Sequence, residues 1–173
     1  MTEHIPAPPD PHEETVLPEW IDYNGHMNVA YYVLVFDHAT EVLLDYAGLD
    51  KGYRARTGHS VFVIEAHVTH EGEVMAGDRV SVATRVLDHD AKRLHVFHHM
   101  YRRENGGGTD VNVLAATNEL MILHVDLSTR RSVPMPESVR RRIRALAEAQ
   151  SALPRPSQAG RAVGLKSKRS TAG

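Results

Sequence analysis

Trp20-Ile-Asp-Tyr-Asn-Gly-His-Met-Asn28, running straight into residues 29–49, is the stretch whose reading decides the fold. Its first half is a turn, because Asp22, Asn24 and Gly25 all favour turn or left-handed backbone. Its second half carries the longest helical pattern in the chain. From Val29 to Phe36 every residue is apolar or aromatic, which predicts a helix whose first turns are buried on all sides. A polar face opens only from Asp37, through His38, Glu41 and Asp45, while Val35, Ala39, Val42 and Tyr46 stay apolar. Asn28 suits an N-cap and Gly48 the position just past the C-terminus. About twenty residues at 1.5 Å each make a rod of roughly 30 Å, the width of a small domain.

The rest of the chain is composed to wrap such a rod. At 173 residues it is one domain by size, and 42% hydrophobic with 24% charged residues is ordinary for a globular protein. A formal charge of -2 gives no reason to expect nucleic acid or a membrane as partner. No cysteine is present, which excludes disulfides, thiolate metal sites and cysteine nucleophiles. The start is Pro-rich and acidic, without Lys, Arg or an apolar core segment, so it does not read as a signal peptide. No run reaches transmembrane length. The expectation is a cytoplasmic protein.

Outward from the turn, residues 1–13 read as a disordered Pro-rich leader, 14–150 as the folded domain and 151–173 as a disordered basic tail. Residues 15–20 could form a short edge strand, since Pro18 argues against a central one. Residues 50–59 read as a polar connection. Strand patterns follow over 60–70, 79–87, 94–100 and 111–125, the last two joined by a hairpin at Gly106-Gly-Gly108. Pro134 and Pro136 then open a terminal helix over 137–150, with Val139, Ile143, Leu146 and Ala147 on one face. One long helix followed by about four antiparallel strands makes an α+β domain with the helix across one sheet face.

Asp22-Tyr-Asn-Gly-His-Met-Asn28, the apolar helix with Tyr31, Phe36 and Ala39, and Ala76-Gly-Asp78 after a strand together resemble the hot-dog-fold thioesterases of the 4-hydroxybenzoyl-CoA thioesterase type. The resemblance covers roughly residues 15–137. Pro18-Glu-Trp-Ile-Asp-Tyr-Asn-Gly-His-Met-Asn28, with Lys92-Arg-Leu-His-Val-Phe-His98, is similar to a narrower group, the betainyl-CoA thioesterases of carnitine degradation. It implies a hot-dog fold, an antiparallel sheet wrapped around one long central helix. It also implies an acyl-CoA thioesterase without cofactor, working as a homodimer or homotetramer with the site between subunits. An all-round apolar helix, with only one sheet face covered, points the same way, because a monomer would expose that surface.

Within the resemblance Asp22 takes the catalytic place, three residues before Gly25. Thioester hydrolysis needs a carboxylate nucleophile, or a carboxylate base that activates water. The free N–H groups at the start of the helix, about Val29, can polarise the carbonyl. The plain alternative for Asp22 is an Asx-turn or capping residue. Gly25, His26 and Asn28 either shape the turn or touch substrate. Trp20, Tyr23, Tyr31 and Tyr32 cluster there too, although aromatic residues make up only 6% of the chain. They either pack the helix start or form an aromatic cage for a quaternary ammonium, which ring faces hold best. Glu65, in an otherwise apolar strand, could add the compensating charge or position water, or simply lie on the exposed face.

Twelve histidines invite a metal. His67 and His70 point to opposite strand faces, as do His98 and His99. His95 and His99 share a face but lie about 13 Å apart. No metal site is therefore expected. A hot-dog hydratase would use Asp-x-Asn-Pro-x-His, and here the proline is missing and the histidine comes one residue early. A non-catalytic acyl-CoA sensor would need a DNA-binding segment that the Pro-rich leader cannot form.

Overall fold

Alternation of apolar and polar residues sets four long strands: β2 (His59–His70), β3 (Arg79–His89), β4 (Arg93–Gly106) and β5 (Thr109–Asp126). The computed structural model describes residues 7–106 and 109–165. A short β1 (His12–Thr15) lies on one edge, giving the antiparallel order β1-β3-β4-β5-β2, with β6 (Arg131–Ser132) added to β5. α1 (Val29–Ala47) crosses one face of this sheet. α2 (Lys51–Thr57) follows it, and α3 (Glu137–Ala149) closes the domain.

The core is divided along α1. Tyr32, Val35, Phe36 and Ala39 pack on Val80, Val82 and Met100. Leu43 and Ala47 pack on Val86, Leu94 and Ile122, where α3 adds Val139, Ile143 and Leu146. The helix ends where the sequence says it should. Asn28 Oδ1 accepts from Ala30 N–H at 3.0 Å, and Gly48 takes a left-handed φ of 82°. An antiparallel sheet around a long central helix is the hot-dog arrangement that the resemblance implied.

Four local expectations are corrected. The start of α1 is not buried on all sides: Tyr32, Val35 and Phe36 face the sheet, while Val29 and Val33 are 63% and 50% exposed. A single sheet can cover only one side of a helix, and the other side needs something else. The polar connection contains α2, capped by Asp50 accepting from Tyr53 N–H and ended by Gly58 at φ 69°. Only Tyr53 of that helix is buried, so no apolar stripe announced it. The edge strand comes earlier than expected, at His12–Thr15, because Pro18–Trp20 is a 3-10 turn.

The tail is the fourth correction. Its first half is placed against the outer face of the sheet. Arg85 donates to the carbonyls of Pro154 (2.7 Å) and Leu153 (3.1 Å), and Gly160 N–H donates to Glu119 at 2.7 Å. Pro156 is buried. The start of the leader, the hairpin tip at Gly107-Gly108 and the end of the tail, with Lys166, Lys168 and Arg169, lie outside the described residues.

Candidate active site

The turn before α1 is a closed loop of backbone hydrogen bonds. Asp22 N–H donates to His26 O and Gly25 N–H to Asp22 O, both at 3.0 Å, while Ile21 and Met27 form a bridge. Asn28 N–H donates to Trp20 O at 2.9 Å and Met27 N–H to Val74 O at 2.8 Å, which ties the loop to the chain between β2 and β3. Gly25 sits at φ 87° with open space where a Cβ would be, so backbone conformation alone calls for glycine here.

Asp22 is half-exposed. One carboxylate oxygen, Oδ1, accepts from Asn24 N–H at 2.8 Å, the Asx-turn bond. Oδ2 has no hydrogen-bond partner among the described residues. The turn therefore fixes one oxygen and leaves the other unoccupied by any hydrogen bond among the described residues. At the head of α1, Ala30 N–H is taken by the Asn28 cap and Tyr31 N–H by Asn28 O. Among the described residues no partner is found for the Val29 N–H, which stands beside an exposed side chain at the helix head.

The aromatic residues are spread over different environments. Trp20 is 6% exposed and stacks on Tyr31, with centroids 5.3 Å apart and planes 12° from parallel. Each of these rings already has one face covered. Tyr32 is buried, donates to Gly72 O at 3.3 Å and meets His70 edge-on; burial raises its pKa. Tyr23 is 96% exposed. His26 Nε2 lies 3.6 Å from the Glu73 carboxylate. The single chain thus brings Trp20 and Tyr31 together beside the Asp22 turn, but does not close a cage with Tyr23 and Tyr32.

Glu65 lies on β2, at a bulge between Val63 and Glu65. It pairs with Met121, which alternates with the core-facing Leu120 and Ile122, so by register it belongs to the sheet face away from α1. β2 ends the sheet order and, among the described residues, pairs only with β5. Phe62, Val63 and Ile64 on it are 37%, 48% and 55% exposed. A groove of about 470 Å³ runs between this strand and α1, lined by Asp37, Thr40 and Leu44, and a larger one of about 680 Å³ continues past Glu41 and Asp45. The sequence reading assigned Asp37, Glu41 and Asp45 to a plain solvent face and gave no sign of the groove.

The curled sheet and the carboxylate turn at the helix head define a hot-dog protein of the thioester-hydrolysing class. A family model described as the thioesterase-like superfamily matches residues 16–143, and the chain belongs to that family. It is similar to a betainyl-CoA thioesterase of Pseudomonas aeruginosa, 46% identical over 89% of this chain and 93% of that protein. It is also 44% identical, over 90% of its length, to an L-carnitine dehydrogenase/betainyl-CoA thioesterase of Agrobacterium fabrum, of which it spans 31%. Among solved structures, a Staphylococcus aureus protein in complex with CoA superposes with a TM-score of 0.82 at 32% identity, covering 90% of this chain and 94% of that one. A thioesterase-type protein of Pseudomonas putida superposes at 0.75, with 36% identity over 92% of this chain and 99% of that one.

Proposed function

We propose that this chain hydrolyses betainyl-CoA to betaine and CoA in the cytoplasm, as a homodimer whose site is completed between subunits. The observation that carries the reading is the 46% identity, over nearly the full length of both chains, to a betainyl-CoA thioesterase. The site chemistry agrees with it. Asp22 Oδ2 attacks the thioester carbonyl, or takes a proton from the water that does, while the Val29 N–H and the head of α1 receive the negative charge on the oxygen. CoA leaves as the thiolate. In the first route water then cleaves the acyl–Asp22 anhydride, and in the second the acid forms directly. Glu65 lies on the strand that a second copy would pair with, and a site shared between subunits is where it would supply charge for the cationic acyl group.

The test uses two substrates and one variant. Betainyl-CoA and its neutral isostere 3,3-dimethylbutyryl-CoA are compared by thiol release. A clear preference for the cation is expected, and it weakens in Trp20→Leu if the Trp20–Tyr31 pair is part of the recognition. Equal kcat/KM for the two would sink the betainyl assignment and leave a general short-chain acyl-CoA thioesterase. Asp22→Asn is expected to keep its fold and lower kcat by at least about 10²-fold. Near-normal turnover in that variant would remove Asp22 from the chemistry.

A further inference from the structure

On the inner face of β1, His12 and Glu14 stand two residues apart and so point the same way, as their shared half-burial shows. α1 presents His38 to the same spot. His12 Nε2 and His38 Nδ1 lie 3.1 Å and 2.9 Å from one oxygen, Glu14 Oε2, with the two rings edge to face at 5.9 Å. All three ligand atoms fall within 4.8 Å of one another. Burial pushes the Glu14 carboxyl up, but the hydrogen bonds from His38 and His12 outweigh it and hold the group below its ordinary value.

We infer that His12, Glu14 and His38 form a binding site for a divalent transition metal of the zinc type, joining the edge strand to the central helix. Two imidazoles and a carboxylate are a zinc donor set, and bonds of about 2.0–2.1 Å in a tetrahedron separate ligand atoms by roughly 3.3 Å. The two spacings to Glu14 Oε2, 3.1 Å and 2.9 Å, are a few tenths of an ångström shorter, so on that side an ion needs only a small opening of the cluster. A cavity of about 140 Å³ lies against His12, lined by Pro8 to Pro11 and Thr84. The site is separate from the Asp22 turn in sequence and in element. The signal was present in the sequence as His12-x-Glu14, but the third ligand comes from another element 24 residues on.

The test is metal binding to the full, untagged chain, by calorimetry with zinc chloride and by cobalt substitution. One zinc per chain is expected, with Kd at or below about 10 µM, visible absorption bands of tetrahedral cobalt, and a Tm raised by zinc and lowered again by EDTA. His38→Ala is expected to weaken binding by well over tenfold and to abolish the cobalt bands, whereas His67→Ala leaves both unchanged. Should His38→Ala fail to fold, Glu14→Gln gives the same readout with a smaller change. Absence of stoichiometric zinc, or zinc binding that none of His12, Glu14 and His38 affects, overturns the inference and leaves a hydrogen-bonded cluster only.

Discussion

At the scale of single residues, the buried histidine of β4 makes the most definite statement. His98 is completely buried between two threonines, Nε2 3.0 Å from Thr40 Oγ1 and Nδ1 3.0 Å from Thr84 Oγ1. Thr40 spends its own proton on Phe36 O at 2.8 Å, so it can only accept from His98. The ring is therefore the neutral Nε2–H form, with Thr84 donating to Nδ1. Burial pushes its pKa from 6.5 to about 3. Below 6.5 the unfolded chain takes up a proton that the folded chain refuses until about pH 3, so stability falls as pH drops through that window. His98→Leu is expected to be less stable at pH 8, yet to lose up to about 1.4 kcal/mol per pH unit of the acid sensitivity. Urea unfolding at pH 8, 6 and 5 measures this. An unchanged slope would mean that His98 carries a proton in the folded protein. Burial pushes His70, His99 and His124 down as well, so part of the slope survives. The sequence showed His98 alternating with Leu94, Val96 and Met100 along one strand, and no more than that. Its threonine partners were not legible, because they come from α1 and β3.

At the scale of elements, strands and long helices were legible because each carries its own periodic burial. α2 was not, since one buried tyrosine makes no period. β1 was misplaced because an edge strand needs few apolar residues, and its inward positions hold His12 and Glu14 instead. The all-round apolar start of α1 reads in sequence as a demand for cover, from the rest of this chain and from a second subunit. The structure moves that demand outward, to Val29 and Val33 on the helix and Val63 and Ile64 on β2. An unpaired strand edge with apolar side chains is a template for a second strand. The chain is expected to sediment as a dimer of 19.3 kDa subunits, with β2 pairing across the two-fold axis. Val63→Lys puts a charge on that edge and is expected to give a monomer with thioesterase activity down by at least about tenfold. A fully active monomer would show that the site is complete within one chain.

At the scale of the whole molecule, the stretch after α3 changes what the sheet can do. Phe97 is fully buried although it points away from α1 by register, between Arg85 on β3 and Glu119 on β5. Those two neighbours are the ones held by Leu153, Pro154 and Gly160, so the returning chain passes over Phe97. Low hydropathy and scattered Pro, Ser and Gly concealed this from a sequence reading, because the strap is fixed by its backbone carbonyls and amide rather than by apolar side chains. Cutting the chain after Ser151 would strip the cover from Phe97 and release Arg85. Sedimentation of that shortened form is expected to reveal species larger than the dimer, whereas the full chain stops at two. Identical sedimentation of both would mean the strap plays no part. A sheet with two faces is an open-ended building surface, and here residues 153–160 lie over part of the second face. Growth of the shortened form would mean that the strap sets a ceiling on assembly, keeping a pair of subunits from becoming the first layer of a stack.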